Sequence, residues 1–231
     1  MSDLITMDDL SNDEILEILD TAERLLPVAN GDVYAPLLQG KVLGNLFFEN
    51  STRTRMSFES AMKRLGGEVV NLSSVGSSVA KGETLYDTMQ MVDGYSDIAV
   101  IRHPRQGAAQ YSADAIGIPI LNAGDGAGNH PTQTMLDLFT IRQAHGTLDG
   151  LNVVLVGDLR YGRTTHSLSH ALARFGAKLT LVSPDSLRMP TEIVGDLQSH
   201  DTEVIESEDL SGSIADADVI YMTRIQKERF P

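Results

Sequence analysis

Between residues 41 and 224 the chain repeats one pattern, a short apolar run followed by a stretch with helical spacing of its apolar residues. KVLGNLFF (41–48), EVVNL (68–72), IAVIR (98–102), IPILNAG (118–124), LNVVLVGD (151–158), KLTLVS (178–183) and DVIYMTR (218–224) read as strands. Helical stretches fall at 51–66, 83–95, 107–115, 131–146, 163–175 and 190–200. Strands that alternate with helices build parallel sheets covered on both faces, because each parallel connection must cross over the sheet. The expected fold is therefore α/β and doubly wound. Ahead of the alternation, Ser11 and Glu14 have capping-box spacing, and Ile15, Ile18, Leu19, Ala22 and Leu26 recur at helical intervals.

Length sets the domain count. The 231 residues suit one large domain or two modest ones. LDG (148–150), after the long 131–146 helix, is the expected seam. The chain divides on this reading into domains 1–146 and 147–231. With 42% hydrophobic and 22% charged residues it is an ordinary globular composition. No apolar run reaches the ~18–20 residues that cross a bilayer, and the acidic start MSDLITMDDLSNDE lacks the pattern of a signal peptide. Zero cysteines exclude disulfides, thiol catalysis and thiolate metal sites. A cytoplasmic location is the simple expectation, with no membrane partner.

The net charge is −14, with 32 acidic residues against 13 Arg and 5 Lys. Such a chain repels polyanions, so nucleic acid is not an expected partner. High acidity with little lysine resembles salt-adapted, halophilic proteins as well as acidic mesophilic ones.

In doubly wound sheets, ligands sit beyond the carboxyl ends of the strands. The polar segments FENSTRTR, IRHPRQG, NAGDGAGNHPTQ, GDLRYGR and MTRIQKER all fall there. In FFENSTRTRMSFE, Ser51, Thr52, Arg53 and Thr54 open a helix bearing Phe58, Ala61, Met62 and Leu65. Free N–H groups and the positive dipole end of a helix, joined by hydroxyls and an arginine, make a phosphate cradle. It is not a P-loop, since GxxxxGK[ST] is absent. VLVGDLRYG lacks the GxGxxG of a dinucleotide site, and His166 and His170 have no third metal ligand in view. No metal or cofactor is expected.

These segments resemble the aspartate and ornithine carbamoyltransferase family. ENSTRTRMSFE is similar to its carbamoyl-phosphate motif, and SSVAKGETLYDT (77–88), IRHPRQGAA (101–109), GDGAGNHPTQTMLDLFTI (124–141), VGDLRYGRTTHSL (156–168) and YMTRIQKERF (221–230) follow in order. The last two segments resemble the aspartate branch more than the ornithine branch.

The resemblance implies a carbamoyl-phosphate domain followed by an aspartate domain, in a homotrimer that shares active sites between subunits. The implied reaction is carbamoyl transfer from carbamoyl phosphate to the amine of L-aspartate. The alternatives are ornithine or another amine acceptor, or a non-catalytic paralogue. The resemblance assigns phosphate to Ser51, Thr52, Arg53 and Thr54. It assigns the carbonyl oxygen to Thr54, Arg102 and His130, and the carbamoyl amide to Gln133. Arg163, Arg224 and Gln226 match residues that bind aspartate carboxylates. Ser77 and Lys81 match residues entering the neighbouring subunit's site, where Lys81 joins the aspartate-binding set, with Ala80 where bacterial members often carry a second lysine. Glu49 matches an acid that bridges to Arg163 and Arg224 across the domains. Many family members assemble with a zinc-binding regulatory chain, a further partner to be expected. Family members continue past the IQKERFP at which this sequence stops, so the expectation is an incomplete second domain and a chain that folds poorly alone or is inactive.

Overall fold

The computed structural model describes residues 3–73, 77–126 and 128–224. Contacts divide the chain into two compact units, Met1–Thr132 and Gln133–Pro231.

The first unit opens with α1 (Asn12–Arg24) and the short α2 (Leu26–Asn30). Then β1 (Val42–Phe47), α3 (Thr52–Arg64), β2 (Glu68–Ser73), α4 (Leu85–Tyr95), β3 (Ile98–His103), α5 (Ala108–Ala115) and β4 (Ile120–Asp125) alternate. The α1 start is the expected capping box: the Glu14 N–H donates to Ser11 Oγ, and the Ser11 N–H donates to Glu14 Oε2 at 2.8 Å. That bond to the Ser11 backbone holds the Glu14 carboxyl below its usual range. Ile15 and Leu19 are the buried pair of α1, whereas Ile18 is exposed.

The four strands are parallel, in the order β2-β1-β3-β4. β1 and β3 are the inner strands and are mostly apolar because helices cover both faces; the buried Asn45 interrupts β1, and β3 ends in Arg102 and His103. Leu46, Ala99, Ile101 and Ile120 pack on one face with Met89 and Val92 of α4 and Ala109 of α5. Leu43, Phe47, Val100 and Ala123 pack on the other with Phe58 and Met62 of α3. Ala61, expected on that apolar face, lies exposed.

The second unit holds nearly all of α6 (Pro131–His145), followed by β5 (Asn152–Val156), α7 (Arg163–Ala173), β6 (Lys178–Val182), α8 (Thr191–Ser199), β7 (Val204–Ser207), α9 (Leu210–Ser213) and β8 (Val219–Met222). Its parallel sheet has the order β7-β6-β5-β8. Val153, Leu155, Leu168, Leu172, Leu179 and Leu181 are buried in its core. The strand β7 did not figure in the sequence reading. It is a four-residue edge strand whose Ile205 is exposed, so no apolar run marks it.

Both sheets reverse direction once. In the first, β1 leads to β2 on one side and the chain returns to place β3 on the other. In the second, β5 leads to β6 and β7, and β8 returns to the opposite side of β5. Each reversal opens a crevice at the carboxyl ends of two neighbouring strands, β1 and β3 in one unit and β5 and β8 in the other.

Candidate active site

At the β1/β3 crevice, Phe47 pairs with Arg102, and the Phe48 N–H donates to the Arg102 carbonyl at 2.8 Å. The two strand ends therefore present Glu49 and the Arg102 side chain side by side. Arg102 is buried, and its Nη2 donates to Glu49 Oε1 at 3.2 Å. Its Nη1 donates to the Ala123 carbonyl at 3.0 Å. The β3–β4 register shifts between Ile101 and His103, and Ala123 lies in that irregular stretch. Irregular strand ends re-aim groups beside a site, and here a carbonyl anchors the arginine. Arg102 Nε and Glu49 Oε2 are buried with no hydrogen-bond partner among the described residues.

Past Glu49 the chain enters α3 at Ser51. Ser51 is the N-cap residue, but its side chain makes no capping bond, and the first turn has no acid. The opening N–H groups of α3 are left for a ligand. Arg53 is exposed and has no ion pair among the described residues.

His130 is buried between the end of β4 and α6, with Thr132 Oγ1 3.3 Å from its Nδ1. The residue that shapes this loop is one the sequence reading passed over. Asp125 is 3% exposed; its Oδ1 accepts the Asn129 N–H at 2.7 Å and its Oδ2 the Gly107 N–H at 2.8 Å. One carboxylate thus ties the loop before His130 to the loop after Arg102. Gly126 beside it has φ +56°, and a Cβ there would lie 2.7 Å from the Pro104 carbonyl. Its place inside GDG, an acid between glycines at a strand end, was the available signal.

Ser77 and Lys81 bracket the 3-10 turn Ser78–Lys81. Lys81 is exposed, and no hydrogen bond or ion pair engages its side chain among the described residues. Its own unit shows no polar contact between it and Arg102.

At the β5/β8 crevice, Arg163 is the first residue of α7 and is buried, while Arg224 follows β8 and is exposed. The strand ends are tied together: the Asp158 N–H donates to Thr223 Oγ1 at 3.0 Å, and the Thr223 N–H donates to the Val156 carbonyl at 2.8 Å. Gly157 allows this approach, since its φ is +115° and a Cβ would meet the Thr223 carbonyl at 2.9 Å. Gln226 lies outside the described residues.

Gln133 stands in the first turn of α6, and its Nε2 donates to Asp137 Oδ1 at 3.0 Å. The other oxygen of Asp137 accepts the Tyr221 hydroxyl of β8 at 3.1 Å. Burial pushes the Asp137 carboxyl above its usual range, and burial first, then the Asp137 charge, pushes the Tyr221 phenol up to about 12. His166, whose Nε2 is 2.7 Å from the Leu159 carbonyl, serves packing of the β5–α7 turn. No group of three or more acidic or histidine side chains fit for a metal ion occurs among the described residues.

Two parallel sheets each present arginine at their own crevice, an arrangement suited to anionic ligands. Residues 2–143 match the model of the aspartate/ornithine carbamoyltransferase carbamoyl-P binding domain, and residues 149–230 match that of the Asp/Orn binding domain. The chain belongs to the aspartate/ornithine carbamoyltransferase family.

Within that family its relatives are aspartate carbamoyltransferase catalytic subunits. That of Methanococcoides burtonii is 56% identical over 229 residues, covering 99% of this chain and 74% of the relative. That of Thermococcus kodakarensis is 54% identical over 230 residues, covering 99% and 74%. The solved catalytic subunit of M. jannaschii aspartate transcarbamoylase superposes with a TM-score of 0.94 at 51% identity, covering 100% of this chain and 76% of that one. The Trypanosoma cruzi enzyme, solved in complex with carbamoyl aspartate and phosphate, superposes with a TM-score of 0.93 at 42% identity, covering 99% and 76%.

Proposed function

We infer that this chain transfers the carbamoyl group of carbamoyl phosphate to the amine of L-aspartate, giving N-carbamoyl-L-aspartate and phosphate. The observation that carries the acceptor is the pair Arg163 and Arg224 at the β5/β8 crevice. Two guanidinium groups suit a dicarboxylate, since each can bind a carboxylate bidentately, whereas the side-chain amine of ornithine calls for acids. Gln226, two residues past Arg224 in sequence, joins them in this reading.

Ser51, Thr52, Arg53 and Thr54 hold the phosphate at the α3 N-terminus. Arg102, Thr54 and His130 donate to the carbonyl oxygen, where negative charge builds as the amine attacks. The unmatched Arg102 Nε supports this role, because a buried donor without a partner favours an incoming oxygen. Gln133 meets the carbamoyl amide. The new C–N bond forms, the C–O bond to phosphorus breaks, and the departing phosphate takes the amine proton. Orienting two charged substrates supplies the catalysis without a covalent intermediate.

Residues 1–146 serve as the carbamoyl-phosphate domain and 147–231 as the aspartate domain, a division supported by family models that change over between 143 and 149. Ser77 and Lys81 act in the site of a neighbouring copy within a homotrimer. The exposure of Lys81 and its lack of a polar partner among the described residues support that reading. Glu49 serves as the interdomain acid when substrates are bound. Assembly with a regulatory chain is the further expectation that the resemblance carries. A cytoplasmic site of action accords with the absence of cysteine and with no described helix being long and apolar enough to cross a membrane.

The test is carbamoyl transfer by a chain spanning the full length of its relatives, measured side by side with L-aspartate and ornithine. Transfer to aspartate is expected, and transfer to ornithine alone overturns the reading.

A further inference from the structure

The Gln133 side chain is an amide, with a donor end and an acceptor end that differ in what they can recognise. An ionised carboxylate only accepts. Gln133 therefore must turn its NH2 group toward Asp137 Oδ1, at 3.0 Å. The consequence is that its carbonyl oxygen faces away from Asp137. That oxygen accepts no hydrogen bond among the described residues. Asp137 is itself held in place, since its second oxygen receives the Tyr221 hydroxyl at 3.1 Å. The Tyr221 phenol, which also hydrogen-bonds Thr164, stays protonated at neutral pH because its pKa stands at about 12. Both donors thus keep both carboxylate oxygens occupied.

We propose that Asp137 is a positioning residue that fixes which end of the Gln133 amide meets the substrate, presenting the Gln133 carbonyl oxygen as an acceptor for the N–H of the carbamoyl group. The proposal rests on the reading that Gln133 contacts the carbamoyl amide. It adds the reason why this glutamine accepts rather than donates. It also assigns a selectivity: a substrate with NH2 at that position is bound more tightly than an analogue with oxygen or methyl there.

The test is a double-mutant cycle on the full chain, read by carbamoyl-phosphate binding and by KM and kcat separately. Gln133→Ala should weaken carbamoyl phosphate. Asp137→Leu, which keeps the side-chain shape but removes both acceptors, should weaken it about fivefold, the cost of leaving one side chain unoriented. In the Gln133→Ala background, Asp137→Leu should have no further effect. Asp137→Leu alone should also narrow the preference for carbamoyl phosphate over acetyl phosphate, measured as competing ligands.

Independent losses that multiply in the double variant, or an Asp137→Leu chain that binds normally, overturn the orienting role while the Gln133 contact stands. A Gln133→Ala chain that binds normally overturns the reading of Gln133 and the proposal with it. If Asp137→Leu loses its cooperative melt, Asp137→Ser, too short to reach the Gln133 amide, carries the same cycle. A purely structural role lowers the melting midpoint without changing the preference between the two phosphates.

Discussion

Arg102 holds Glu49 with one guanidinium nitrogen, at 3.2 Å, and the Ala123 carbonyl with another, at 3.0 Å. The same side chain is thus both a structural tie at the ends of β1, β3 and β4 and a candidate substrate donor. Arg53 differs, being exposed and without an ion pair in the described residues.

That contrast predicts two kinds of loss. Arg53→Ala should reduce kcat/KM by about 10²–10³, as for one lost transition-state donor, with an unchanged denaturation midpoint. Arg102→Ala should lose at least as much activity and also about 1–3 kcal/mol of stability, because buried acceptors lose their donor. Urea unfolding beside turnover separates the two, and equal stabilities would refute the structural tie.

Asp125 should act on His130 at one remove. Asp125→Ala strands the Asn129 and Gly107 N–H groups that it now receives. A stability loss of about 1–3 kcal/mol is expected, with a raised KM for carbamoyl phosphate. Proteolysis should cut the 126–130 loop faster in this variant than in the parent chain.

Asp137 gives a signed pH dependence. Burial raises its folded-state pKa above the unfolded value, so the folded chain binds the proton more tightly. Its contribution to stability is fully present below the unfolded pKa and is lost as pH rises through the folded one. Asp137→Asn imitates the protonated form. The difference in melting midpoint between Asp137→Asn and the parent should therefore move in favour of the variant as pH rises from 4 to 7. A constant difference would show that burial does not strain this carboxylate.

Lys81 predicts complementation. If it serves a neighbouring copy, chains carrying Lys81→Ala and chains carrying Arg53→Ala, each strongly impaired alone, should regain activity when unfolded, mixed and refolded. Recovery in some mixed assemblies would follow from sites that draw both intact residues. No recovery would place Lys81 in its own chain's site.

The net charge of −14 predicts opposite salt effects on fold and substrate. Raising KCl from 0.05 to 1 M shortens the screening length from about 14 Å to about 3 Å. Self-repulsion weakens, so the melting midpoint should rise. The arginine crevices are screened too, so KM for both anionic substrates should increase.

The α/β alternation was legible because inner parallel strands are mostly apolar, as β1, β3 and β5 are, their polar members being Asn45, Arg102 with His103, and Asn152. The edge strand β7 was not, since Glu206 and Ser207 form half of it. The positions of Ser51, Arg102, Arg163 and Arg224 at strand and helix ends followed from motif order alone. The tie between Asp137 and Tyr221 spans 84 residues and no local pattern announces it. Asp125 was hidden differently, because a buried acid in a glycine-rich loop has the sequence of a solvated turn.

The two reversals of strand order have an evolutionary consequence. Each sheet makes its own crevice from its own strand ends, so the chemistry of one can drift while the other stays constant. A lineage could exchange one amine acceptor for another by rewriting the short segments after β5 and β8, leaving the phosphate cradle ahead of α3 untouched. The donor half would then be inherited as a fixed part, and new specificities would arise by altering its companion.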